Sequence, residues 1–216
     1  MEKLFRLIKV TIVLFISIMV FYLVPNRQLN VEPISQYPNM PNGCEITSLA
    51  MVMNHEGYKV SKEFLCDNFL EKSGYYNANP NKAYIGNPYK SGYYCNAAPI
   101  ANAANKYFNR YGINREAKDE TGMSVLGILN RIIFDKKPVI VWYTVDDREP
   151  EIGIGRYIDE YGNKKELLSN SHCIVVDGVG FGKISAVDPI QGKRRINFLE
   201  FTKLYVQTRS KAVVIY

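Results

Sequence analysis

Between His172 and Asp188 the chain carries two apolar, β-branched runs separated by a cluster of glycines, a pattern that leaves few folds open. Ile174-Val175-Val176 reads as one strand and Ile184-Ser185-Ala186-Val187-Asp188 as the next, with Gly178, Gly180 and Gly182 marking the turn. A strand that returns beside its predecessor through a short turn is antiparallel, so the chain contains an antiparallel sheet. His172 opens the first strand and Asp188 closes the second. With a pivot near Gly180 the two are equally distant from the turn and face each other, Cβ atoms about 5 Å apart. A carboxylate so placed takes the second imidazole proton and orients the ring. Asp177 stands at an odd offset from His172, points to the other face, and lies about 16 Å away. The expected partner of His172 is therefore Asp188.

A thiol is the natural counterpart of such a base. Cys44 follows Pro41-Asn42-Gly43 and opens a segment whose apolar positions 46, 49, 50 and 53 match a helical stripe, ending at Gly57; a helix is expected over 45–56. A thiol on the first helical turn feels the positive end of the backbone dipoles, which favours thiolate. The chain has two histidines. His55 is eleven residues along the same helix, roughly 16 Å away at about 1.5 Å per residue, so only His172 can serve Cys44. Gln36, in the loop leading to Cys44, offers a side-chain amide that can donate to an oxyanion beside the Cys44 N–H.

The order Gln36, Cys44, His172, Asp188 resembles a papain-like cysteine peptidase, and more closely the bacteriocin-processing peptidase-like family related to double-glycine leader peptidases. The resemblance rests on Gln36 to Cys44, Ser48-Leu49-Ala50-Met51, Gly92 to Pro99, Pro138 to Trp142, Ser171 to Val175 and Val187-Asp188-Pro189. It runs through nearly the whole chain after residue 30. It implies an α+β papain-like fold, with Cys44 as nucleophile, His172 as general base and acid, Asp188 as orienter and Gln36 as oxyanion donor. Its substrate would be a peptide or protein. Transporter-fused relatives carry glycine after the nucleophile and a shorter Gln-to-Cys spacing; here Glu45 follows and two more residues intervene. Those departures bear on the double-glycine substrate more than on the chemistry. A cell-wall amidase, an acyltransferase or a catalytically silent binding module would use the same residues and fold.

The amino terminus adds a location. Val10 to Val24 is uncharged and follows Lys3, Arg6 and Lys9, the pattern of a signal anchor with its start in the cytoplasm. No small-residue cleavage site follows, which favours a retained membrane segment at residues 10–24 over a cleaved signal; cleavage would make the protein secreted. The expected division is anchor and linker over 1–30 and one catalytic domain over 31–216, exposed outside a bacterial cell membrane. The first thirty residues hold four basic and one acidic side chain, so the formal charge of +6 falls to +3 over the rest, too weak and dispersed for a nucleic-acid partner. Cysteines 44, 66, 95 and 173 form no C-x-x-C pair, so neither a metal nor another cofactor is expected. Cys173 reads as a core residue, and Cys66 with Cys95 stand as a possible bridge in an oxidising exterior.

Further along, Ser61 begins a capped second helix, Pro99 a third and Ser124 a fourth. Residues 73–94 read as a tyrosine-rich loop that either lines a peptide groove or packs a small core. Val139 to Tyr143 is a buried strand, the stretch around Arg156 to Asn163 a hairpin, and 212–216 a last strand. The expected arrangement is a helical front on a mainly antiparallel sheet.

Overall fold

The computed structural model describes residues 26–90 and 92–216, together with Thr11. The uncharged 10–24 stretch lies outside the described residues but for Thr11. Seven antiparallel strands form the main sheet: β1 (Arg27–Gln28), β5 (Ala117–Asp119), β6 (Val139–Thr144), β9 (Ser171–Gly180), β10 (Lys183–Asp188), β11 (Gly192–Asn197) and β12 (Ala212–Ile215). Their order is β11-β10-β9-β6-β12-β5, with β1 alongside the far end of β9. All six residues of β6 are buried, because the sheet is covered on both faces.

On one face lie α1 (Cys44–His55), α2 (Lys62–Asn68) and α3 (Ala97–Arg110). Ile46, Leu49, Ala50, Met53, Ile100, Ala104 and Phe108 meet Ile140, Trp142, Cys173, Val175 and Val213 of the sheet there. The buried indole of Trp142 spends its only donor on the Cys95 carbonyl, 2.8 Å. On the other face α4 (Val125–Asn130) with the π-turn after it, and α5 (Phe198–Gln207), cover Val141, Tyr143, Ile174, Val176, Ile184 and Val214. The helices thus flank the sheet instead of forming a single front. The helix missing from the sequence reading was α5, whose signal was present: Asn197 Oδ1 caps the Leu199 N–H at 2.9 Å, and Phe201, Leu204 and Tyr205 form the buried stripe.

Local signals hold where the sequence placed them. Ser61 Oγ caps α2 through Phe64 N at 3.0 Å, and Ser124 Oγ caps α4 through Gly127 N at 3.1 Å. The third helix starts at Ala97, two residues before Pro99, which sits in its first turn. The tyrosine-rich stretch is part of a small sheet, β2 (Lys72–Ser73), β3 (Tyr84–Gly86) and β4 (Gly92–Tyr94). Ala78, Ile85, Tyr157 and Leu167 form a satellite core there, with β7 (Ile152–Ile158) and β8 (Lys164–Leu168) as a separate hairpin.

Residues 27–30, expected as linker, are tied into the fold together with Val31. Arg27 and Gln28 pair with Val179 and Gly178, and Gln28 Nε2 and Val31 N both donate to the buried Asp177 carboxylate, at 2.8 and 3.1 Å. All four cysteines are free thiols, Cys66 and Cys95 both buried.

Candidate active site

The loop before α1 is a tight, self-bonded turn. Met40 N donates to Gln36 O, and Gly43 N to Met40 O, each at 3.0 Å. A side chain at Gly43 would put its Cβ 2.9 Å from the Cβ of Met40, so only glycine lets the loop close onto the helix start. Cys44 is the first residue of α1 and is half-buried, whereas the other three cysteines are fully covered. Gln36 is 2% exposed; its Nε2 donates to Pro41 O at 2.7 Å, leaving one amide N–H uncommitted, and its Oε1 is buried without a partner.

The second half of the site lies on β9 to β11. His172 Nε2 stands 2.8 Å from Asp188 Oδ1, both side chains almost wholly buried. The same oxygen accepts the N–H groups of Ile190 and Gln191, and Oδ2 accepts Arg194 Nη1 at 3.0 Å. Burial works to raise the Asp188 carboxyl, but the His172 hydrogen bond and charge, the Ile190 N–H and Arg194 outweigh it and hold the group down at about 2. Arg194 in turn pairs with Asp147. The sequence reading missed Arg194; its position on β11, in register with Ala186 of β10, depends on a strand that was not assigned.

The contact between His172 and Asp188 arises by a different route from the one expected. The hairpin turns at Phe181-Gly182, so Lys183 pairs with Gly180 and Ser185 with Gly178. In that register Asp188 would lie opposite Val175, on the wrong face for His172. A β-bulge at Asp177 shifts the pairing to Ala186↔Val176 and Val187↔Val175. Asp188 then falls opposite Ile174, one diagonal step from His172 on the same face. The pivot at Gly180 was wrong, and the bulge restores the parity that it assumed.

Two hydrogen bonds bring the halves together. Ser48 Oγ, one turn beyond Cys44, donates to Cys173 O beside His172 at 3.2 Å, and Gln36 N donates to Pro189 O beside Asp188 at 2.9 Å. The thiol itself is hydrogen-bonded to Glu45 Oε2, 3.2 Å. Glu45 is 2% exposed, and its Oε1 accepts the Cys95 N–H at 3.1 Å. Burial, followed by the Glu45 charge, pushes the Cys44 thiol well above its usual value, and burial likewise raises the Glu45 carboxyl. Desolvation and the neighbouring carboxylate thus both work against the thiolate expected from the helix start. Glu45, conspicuous in the sequence as the residue where relatives carry glycine, is the second group that sequence reasoning left without a role.

The arrangement provides a thiol and a backbone N–H at a helix start, a buried amide with one uncommitted N–H in the loop before it, and an imidazole whose Nε2 is locked to a carboxylate. Those are the parts of nucleophilic acyl transfer. Among the described residues no cluster of His, Cys, Asp and Glu is arranged to hold a metal ion.

Comparisons with known proteins give the same direction. The model of the Peptidase_C39 like family matches residues 28–213. An uncharacterized protein of Bacillus subtilis (strain 168), YvpB, is 29% identical over 185 residues, covering 82% of this chain and 70% of that protein. The crystal structure of a C39-like peptidase candidate from Bacillus anthracis superposes with a TM-score of 0.77 at 27% identity, over 89% of this chain and 98% of the other.

Proposed function

Since the chain belongs to the Peptidase_C39 like family and has its papain-like peptidase fold, we propose that it is a cysteine hydrolase of peptide or amide bonds acting through Cys44, His172, Asp188 and Gln36. The observation that carries this reading is the His172–Asp188 pair, backed by Arg194, beside the start of the Cys44 helix. His172 Nε2 is held by Asp188, so Nδ1 is the nitrogen that exchanges protons with substrate and thiol. On substrate entry Cys44 leaves Glu45, passes its proton to His172 and attacks the carbonyl carbon. The oxyanion is held by the Cys44 N–H and the free amide N–H of Gln36. His172 then protonates the leaving amine, and water, deprotonated by the same imidazole, hydrolyses the thioester. Because the thiol rests neutral, proton transfer accompanies attack instead of preceding it.

Treatment of the full chain with iodoacetamide at neutral pH tests the reading. Burial pushes Cys66 up to about 11 and Cys95 and Cys173 well above their usual values. The Cys44 thiol is raised too, but it alone of the four is part-exposed, so it should be alkylated first, and His172→Ala should slow it. Equal labelling of all four thiols, or labelling indifferent to His172, removes the nucleophile assignment. A catalytically silent peptide-binding module is the second reading, favoured by the thiol's bond to Glu45; slow Cys44 alkylation with peptide binding intact would select it.

We further propose that residues 10–24 anchor the chain in a bacterial membrane with residues 31–216 outside, supported by the uncharged run after Lys3, Arg6 and Lys9. Protease added to intact protoplasts should remove the domain; its full protection would place it inside the cell.

A further inference from the structure

A groove of about 630 Å³ opens between β4, the β7–β8 hairpin and the segment joining α5 to β12, and it reaches Ser171, the neighbour of His172. Its charges are unequally satisfied. Asp159 pairs with Lys165 at 3.3 Å, Glu160 with Lys82 at 2.7 Å and Glu166 with Arg156 at 3.0 Å. Every acidic side chain lining the groove is thus already matched by a cation. Arg209 and Lys211, which line the same groove, have no ion-pair partner among the described residues.

These two cations are held together at some cost. Arg209 and Ser210 are consecutive non-glycine residues in the left-handed region, φ +69° and +49°, where side chains are rarely tolerated. That turn carries the chain from α5 into β12 and places Arg209 and Lys211 two residues apart on the groove. The Lys211 Nζ lies 5.7 Å from the Tyr94 ring centroid, a cation–π contact on the groove wall. Burial first, and then the Arg209 charge, lower the Lys211 ammonium, while the Glu45 and Cys95 side reaches it as a counter-influence. Glu45 does not neutralise it as an ion pair, being committed to Cys44 and the Cys95 N–H. A half-buried ammonium beside an arginine, with all neighbouring carboxylates taken, is a site short of one anion.

We propose that this groove binds a carboxylate of the substrate peptide, gripped by Arg209 and Lys211, on the side of the cleft next to His172. The guanidinium supplies planar paired donors and the ammonium a point charge, and peptide flanks rest on Tyr94 and Tyr157. The reading rests on the peptide-hydrolase function above, whose substrate class it narrows to peptides bearing either an acidic side chain or a free C-terminal carboxylate near the bond cleaved.

The test separates binding from chemistry by using the full chain carrying Cys44→Ala. Short N-acetylated peptides of random sequence are offered in two sets, one with free and one with amidated carboxyl ends, and the retained peptides are sequenced by mass spectrometry. Either Asp and Glu are enriched over Asn and Gln, or the free set is retained over the amidated one, by on the order of tenfold for one charge-assisted contact. Asp and Glu enrichment that persists in the amidated set identifies a side-chain carboxylate; stronger retention of the free set without that enrichment identifies the terminus. Arg209→Gln with Lys211→Gln should abolish the enrichment at an unchanged melting temperature, and Arg209→Lys should retain it. If retained peptides show no carboxylate preference, if nothing is retained, or if the double variant keeps the preference, the proposal is overturned. Failure of Cys44 to alkylate or turn over would strike the hydrolase reading instead, leaving the binding result to stand by itself.

Discussion

The nucleophile side and the base side of the site are built in opposite ways. Gln36 to Cys44 closes largely on itself, by hydrogen bonds between residues three to five apart and the fit of Gly43 against Met40, with Asn42 tied to Tyr84, Pro88 and Lys90. His172, Asp188 and Arg194 come from three neighbouring strands and meet only through strand register. Their electrostatics differ as sharply. Asp188 is saturated by four donors and held ionised, whereas Cys44 shares a buried pocket with a carboxyl and is held protonated. One side is ready before substrate arrives; the other must be switched on. In the proposed mechanism, a rigid, charged orienter beside a reluctant thiol leaves activation to His172.

The largest break in this comparison is removal of the thiol. Cys44→Ala should reduce peptide turnover by on the order of 10⁴-fold or more with little change in melting temperature. Residual turnover within tenfold of the parent would move the chemistry elsewhere. On the other side, Asp188→Ala should lower turnover roughly 10³-fold while Cys44 remains alkylatable, since the ring loses its orientation and the nucleophile survives. It should also destabilise the fold by about 3 kcal/mol, because Arg194 loses its buried partner. Denaturant titration beside a turnover assay reads both, and unchanged turnover rules out the orienting role. Gln36→Ala should cost about 10²-fold in turnover, the usual loss of one oxyanion donor, and an intact rate would leave the backbone N–H as the whole oxyanion hole.

Two smaller effects sharpen the contrast. Asp188 is depressed in the folded state from 3.8 to about 2, so its contribution is present above pH 4 and disappears as pH falls toward 2. The loss should be of order 2 kcal/mol, seen as a fall in the urea midpoint that is absent in Asp188→Asn. On the thiol side, Glu45→Gln removes a neighbouring negative charge and should move the midpoint of iodoacetamide alkylation at Cys44 to lower pH. A midpoint that stays put or rises would show that burial alone sets the thiol.

Much of this was written in short segments of sequence. The Cys44 helix start, the Ser61 and Ser124 caps and the buried run at Val139 to Tyr143 rest on neighbours within a few residues, so pattern alone locates them. The α5 helix was equally legible and was overlooked. Arg194 was not legible, because its value lies in a β11 register no local signal specifies. Glu45 was visible as a departure from related chains, but its bond to the thiol and to Cys95 depends on burial that only packing creates.

Sequence by itself determined that an antiparallel hairpin would carry His172 and Asp188, that a helix would begin at Cys44, and that both belong to one α+β domain. It did so because helical and strand periodicities and turn residues act over distances shorter than a hairpin. Tertiary structure alone decided that Asp188 reaches His172, through a bulge whose skipped residue, Asp177, is held by Gln28 and Val31 from the far end of the chain. It also decided that the thiol rests protonated. Parity and desolvation are sums over contacts between distant segments, and a one-residue slip or one buried carboxylate reverses their sign.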